Sequence, residues 1–113
     1  MKAFNIRNGK QLAVNVTVAD NLFKRMKGLL GKSEMLSGEA LWIKPCMSVH
    51  TFGMKFPIDI IFLDKKNKVV SFINNMKPNR LTPLYFSAAS ALELPAGAIE
   101  KRDLNVGDEI EIK

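Results

Sequence analysis

Apolar and polar positions along this chain mark out short strands and one helix. Residues 3–7 and 11–18 read as two strands joined by Asn8-Gly9, a dipeptide that favours a tight hairpin because both residues tolerate positive φ. In the second, Leu12, Val14, Val16 and Val18 alternate with Gln11, Ala13, Asn15 and Thr17, so one face is expected to be buried and the other not. Asp20 reads as an N-cap, followed by Leu22, Phe23, Met26, Leu29 and Leu30 at helical spacing, with Gly31 as the stop. Residues 32–39 are loop-like around Ser37-Gly38, and Ala40 to Ile43 is a short strand ending at Pro45. From Cys46 to Phe56 no period is visible, which predicts an ordered loop. Pro57 opens a strong strand, Ile58 to Leu63; Asp64-Lys65-Lys66-Asn67 turns the chain into Lys68 to Ile73. Pro78 and Pro83 bracket a further loop. Ala88 to Leu94 reads as a strand, Pro95 to Arg102 as a short helical turn, and Val106 to Ile112 as the last strand.

The strand 58–63 is the most informative. Alternation puts Ile58, Ile60 and Phe62 on one face and Asp59, Ile61 and Leu63 on the other. Both faces are apolar except at Asp59, which predicts a central strand covered on both sides. A carboxylate there is costly unless it is paired or hydrogen-bonded. Backbone amides could hold it, Arg80 or a protonated His50 could pair with it, or it could line a cleft and meet a ligand. Amide donors from residues 50–56 are expected to dominate, fixing the loop over the strand.

Composition narrows the rest. The 113 residues suit one domain, 1–113, large enough to bury a core without staples. With 47% hydrophobic and 25% charged residues, disorder is not expected. The one cysteine excludes an internal disulfide. No apolar run is long enough for a membrane span or a signal peptide, so a cytoplasmic protein without membrane contact is expected. The net charge of +6 favours polyanions in general. Its lysines and arginines are nevertheless scattered, at Lys24, Arg25 and Lys27 on the helix and Lys65, Lys66 and Lys68 near a turn. No nucleic-acid motif joins them, so no specific nucleic-acid partner is expected. They read as solvated surface charge.

Candidate chemistry gathers between Trp42 and Asp64, which holds the lone Cys46, the lone His50 and Asp59. A thiolate nucleophile needs a base within hydrogen-bond reach, and a loop could bring Cys46 and His50 together. No local signature of a cysteine hydrolase surrounds Cys46, and a lone cysteine more often packs as a small apolar residue. Cys46, His50 and Asp59 would also make the three-ligand set of an open zinc site, but Cys-x-x-x-His alone is weak, and no metal or other cofactor is expected. Met47, Phe52, Met54 and Phe56 could line an adaptable apolar pocket or fill the core beneath the loop.

The run Cys46-Met47-Ser48-Val49-His50-Thr51-Phe52-Gly53-Met54-Lys55-Phe56-Pro57-Ile58-Asp59-Ile60-Ile61-Phe62-Leu63-Asp64 resembles the signature of domain-of-unknown-function family 192, an uncharacterised ancient conserved region. Ala91-Leu92-Glu93-Leu94-Pro95-Ala96-Gly97 and Val106-Gly107-Asp108 continue the likeness in the family's order. The resemblance implies a compact, mainly β domain, found alone in bacteria and archaea and as exported forms in other bacteria, with no established activity. Many members carry a Trp-Met-Lys/Arg-Asn-Thr type of sequence where this chain has Ser48-Val49-His50-Thr51, so Cys46 and His50 look like features of one branch. Thr51, Pro57 and Asp59 match the broader motif.

The sequence therefore predicts an α+β fold: a strongly bent sheet or partly closed barrel carrying one or two short helices. It predicts a monomeric, non-catalytic module binding a small ligand or partner at the Pro45–Pro57 loop, with Asp59 at the base and Thr51, His50, Phe52, Met54 and Arg80 as ligand-binding residues. The alternatives are a hydrolase-like enzyme using Cys46, His50 and Asp59 by thiol or metal chemistry, and a protein-interaction domain using a sheet edge or the Met-rich loop.

Overall fold

The computed structural model describes the backbone of residues 1–113 and every side chain except those of Leu22, Phe23 and Met26. In chain order the elements are β1 (Ala3–Asn5), β2 (Gln11–Ala13), β3 (Asn15–Ala19), α1 (Leu22–Lys27), β4 (Glu39–Ile43), β5 (Ile58–Leu63), β6 (Val69–Met76), β7 (Ser90–Pro95), a 3-10 turn (Glu100–Arg102) and β8 (Ile110–Ile112). They make two sheets, a three-stranded β2-β1-β8 and a five-stranded β3-β4-β7-β5-β6. All pairings are antiparallel except β3 with β4.

The expectation of one bent or barrel-like α+β sheet is corrected here: the fold is more β-rich, in two sheets that do not close into a barrel. The single strand predicted over 11–18 breaks at Val14, which is 52% exposed. There the amides of Val14 and Asn15 both donate to the Gly38 carbonyl, at 2.8 and 3.1 Å. Residues 11–13 stay with β1, while 15–19 cross to pair with β4. The helix is shorter than its apolar spacing suggested. Asn21 rather than Asp20 caps it, accepting from the Lys24 amide at 2.8 Å, and Gly28 ends it at a φ of 47°. Leu29 is buried beyond its end; the predicted packing of Leu22, Phe23 and Met26 lies outside the described side chains.

The fully buried β5 and the nearly buried β7 lie side by side and separate two apolar layers. Ile61, Leu63, Leu92 and Leu94 pack toward the small sheet with Ala3, Leu12, Ala13 and Ile110. Ile58, Ile60, Phe62 and Ala91 face the opposite way, under Val49 and Met54 of the 46–57 loop and under Leu29, Met76 and Ala88. The expectation of a central strand covered on both sides therefore holds.

Asp59 is fully buried on the inter-sheet side. Its Oδ1 accepts from the Asn75 amide at 2.7 Å and its Oδ2 from the Ile99 amide at 2.9 Å. Backbone donors do hold this carboxylate, but not those of residues 50–56. Asn75 takes a φ of 52° where the β5–β6 register shifts, so Asp59 fastens an irregular stretch of β6 and the lead-in to the 3-10 turn. A second buried acid, Asp108, accepts from Asn5 Nδ2 at 2.8 Å, Arg7 Nε at 2.7 Å and the Asn105 amide at 2.8 Å. Arg7 in the first place, then these amide donors, holds its carboxyl down at about 2.

Replacing Asp59 by Asn leaves one of the two amides facing an NH2 group, and a buried donor without an acceptor costs about 1–3 kcal/mol. Denaturant unfolding should show Asp59→Asn destabilised on that scale. Hydrogen exchange should accelerate at Asn75 and Ile99 while residues 46–56 stay protected; faster exchange confined to 46–56 would contradict the bonding described.

Candidate functional site

In β7 the alternation that sends Leu92 and Leu94 toward the small sheet sends Ala91 and Glu93 toward the 46–57 loop. Glu93 is 3% exposed. Every fully enclosed side-chain nitrogen or oxygen among the described residues has a hydrogen-bond partner. The Glu93 carboxyl has no ion-pair or side-chain hydrogen-bond partner among those residues, so it meets the one space open to it, a cleft of about 200 Å3 that it lines. Burial alone pushes its pKa from the ordinary 4.5 up to about 8, so near neutrality it carries a proton.

The cleft walls come from three places. Ile43 ends β4, Pro45 to His50 and Met54 belong to the loop, and Arg25, Lys27 and residues 28–30 come from α1 and its exit. The loop keeps its shape by pairing with residues 77–89. The Thr51 amide donates to the Arg80 carbonyl at 2.9 Å, and the Thr51 hydroxyl donates to the Lys77 carbonyl at 2.7 Å and accepts from the Arg80 amide at 2.9 Å. Thr82 mirrors it, its Oγ1 accepting from the Val49 amide at 2.9 Å and its own amide donating to the Val49 carbonyl at 2.9 Å. Cys46 and Met47 are fastened in the same way, the Cys46 amide to the Ala89 carbonyl at 3.1 Å and the Met47 carbonyl to the Tyr85 amide at 2.9 Å.

Cys46 and His50 do line the same cleft. The Cys46 thiol donates to the Ser48 carbonyl at 3.1 Å, and its pKa is raised, chiefly by burial. Ionised Glu93 raises it further and Arg25 lowers it, and both residues line the cleft with Cys46. His50 is exposed, its ring stacked on Phe52 at 5.4 Å between centroids and its Nδ1 accepting from the Phe52 amide at 3.3 Å.

Several predicted site residues stand elsewhere. Asp59 is not at the base of the loop: it occupies the opposite face of β5, satisfied by Asn75 and Ile99. Cys46, His50 and Asp59 therefore do not assemble, and no metal-binding cluster of three such groups occurs among the described residues. Neither Arg80 nor His50 reaches Asp59; Arg80 is exposed, its guanidinium donating to the Asn79 carbonyl at 3.3 Å. Thr51 has its hydroxyl committed to the loop. Phe52 is half exposed outside the cleft, while Met54 is buried and lines it. Glu93 and Arg25 were missed. The signal for Glu93 was the one used for Asp59, an acid between Leu92 and Leu94 in an apolar strand; nothing local distinguishes Arg25 from the helix's other cations.

A β-rich, two-sheet fold with a loop-roofed cleft over an unpartnered acid is thus the class of protein this chain defines. It belongs to domain-of-unknown-function family 192, described as an uncharacterised ancient conserved region, whose model matches residues 4–112. A UPF0127 protein of Pyrococcus furiosus is 33% identical, over 95% of this chain and 94% of its own length. One of Thermococcus sibiricus is 32% identical, over 95% of this chain and 71% of its own length. The fold matches a crystal structure from Sinorhizobium meliloti described as a candidate transcription regulator, at a TM-score of 0.84 and 19% identity over 97% of this chain and 89% of that one. It also matches a protein of unknown function from Novosphingobium aromaticivorans, at 0.79 and 21% over 99% and 93%. Among the described residues no helix is long and apolar enough to cross a membrane.

Because the Glu93 pKa is raised on folding, its contribution to stability is fully present below about 4.5 and lost as pH rises through about 8. Denaturant unfolding across that window should show wild-type stability falling by about 1.4 kcal/mol per pH unit from this group. Glu93→Gln should remove that slope, and equal slopes in the two proteins would refute it. The half-buried Cys46, held as a thiol, should react with iodoacetamide near neutral pH more slowly than free cysteine and reach the free rate only on unfolding; rapid labelling of the folded protein would point to a thiolate.

Proposed function

We propose that this protein is a non-catalytic small-ligand-binding module whose site is the cleft between the Cys46–His50 loop, the end of α1 and β7. The observation that carries the reading is the Glu93 carboxyl: buried, without a side-chain partner among the described residues, and opening into the cleft. A buried polar group without a partner is expensive, and a ligand that hydrogen-bonds it recovers the cost. Convergent polar groups beside apolar side chains such as Ile43, Val49 and Met54 suit such a site. The enzyme reading has less support. The Cys46 thiol is spent on the Ser48 carbonyl and pushed away from the thiolate, and the His50 Nδ1 is occupied by the Phe52 amide. One observation favours a second reading, protein contact: Phe86 is 81% exposed and Leu81, Leu84, Phe52 and Met47 are also largely exposed.

The test is heteronuclear NMR of labelled protein against a fragment library carrying amine, carboxylate, amide and amino-acid head groups. Some fragments should shift the amides of Cys46, Ser48, His50 and Glu93, and Glu93→Leu, while folded, should abolish those shifts. Shifts confined to Met47, Phe52 and Phe86, or no shifts from any fragment, would overturn the cleft as the site.

A further inference from the structure

The cleft has an acid at one end and cations at the other. Glu93 lies at its floor, where Ile60 and Leu41 on the neighbouring strands offer it no counter-charge. Arg25 and Lys27 stand exposed along the α1 wall, and neither pairs with a carboxylate among the described residues. The other titratable groups facing Glu93 are Cys46 and His50 of the loop. Between the two ends Ile43, Val49 and Met54 add apolar side chains to an otherwise mixed lining. At about 200 Å3 the cleft lies below the roughly 300–1,000 Å3 of drug-sized pockets, so the occupant is small. Glu93, Arg25 and Lys27 all line this one small cleft, with Cys46 beside them, which places an acid and cations around a single space.

We propose, building on the cleft as the binding site, that its ligand is a small zwitterion, an amino acid or short amino-carboxylate. Its ammonium sits against Glu93 at the floor and its carboxylate against Arg25 and Lys27 at the mouth. An ammonium beside Glu93 favours the carboxylate form, so the proton that Glu93 carries at neutral pH passes to the buffer on binding. A ligand with one charge satisfies only one end. An amine leaves the mouth cations as they were, and a simple carboxylate leaves the floor acid unpartnered.

The experiment is titration calorimetry of the whole protein at pH 7 with valine, 4-aminobutyrate, butylamine and butyrate, each in two buffers of different ionisation enthalpy. At least one of the two zwitterions should bind tenfold or more tightly than both single-charge compounds, releasing close to one proton. Arg25→Ala should weaken the zwitterion about tenfold and leave butylamine unchanged, whereas Glu93→Leu, checked for folding by circular dichroism, should abolish both. Butylamine binding as tightly as the zwitterions would overturn the role of the mouth cations. Butyrate binding as tightly, or zwitterion binding without proton release, would overturn the role of Glu93. If none of the four binds while fragments still shift the cleft amides, the ligand class is wrong and the binding site stands; if neither occurs, both fall.

Discussion

The cost of taking a carboxyl group out of water governs this structure more than any single apolar contact. β5 and β7 lie side by side with both faces covered, and each carries one acid, Asp59 and Glu93, on opposite faces of the same sheet. Asp59 faces the packed space between the sheets and accepts from two amides, so its carboxyl is put to structural use. Glu93 faces the loop, has no side-chain partner among the described residues and keeps its proton instead. Such a group escapes the desolvation penalty by one of two routes, and this fold uses both.

The loop roof is what gives the second acid a cleft to face. Residues 46–54 are not a helix or strand, yet their backbone is paired against 77–89 through two threonines, Thr51 and Thr82, each bonding through both main chain and hydroxyl. Those bonds hold Val49 and Met54 down as part of the apolar layer. The loop therefore forms one wall of the cleft, facing the end of α1 across it.

How much of this was legible follows from range. The strand 58–63 could be read to the residue because its pattern is dictated by burial on both faces, a property of the strand itself. The turn at 64–67 was equally visible, and Asp64 does accept from the amides of Lys66 and Lys68 there. The break at Val14 was not, because it depends on a carbonyl at Gly38 that no local pattern announces. The helix length failed for a related reason: apolar spacing continues past Gly28, but the backbone there adopts a conformation suited to glycine. The stretch 46–56 is an ordered loop as its lack of period suggested, but the acid beneath it is Glu93 and not Asp59. Alternation says that Asp59 and Glu93 are both inside; only the sheet order and the second sheet decide that one faces amides and the other a cleft.

That difference bears on what the cleft is for. An uncharged side chain of similar size at position 93 would suit the apolar layer that Ala91, Ile58 and Ile60 form and would remove the dependence of stability on pH. Deleting Asp59, by contrast, would strand two backbone amides, so its place is explained within the fold. Glu93 positions no described backbone or side-chain group through its carboxyl, and its burial costs stability throughout the range above its ordinary pKa. Groups held at such a cost gather at functional sites, where a strained or unsatisfied arrangement serves a partner rather than the chain. With Arg25 and Lys27 unpaired among the described residues along the same wall, the cleft is short of two interactions of opposite sign, which the proposed zwitterion would supply together.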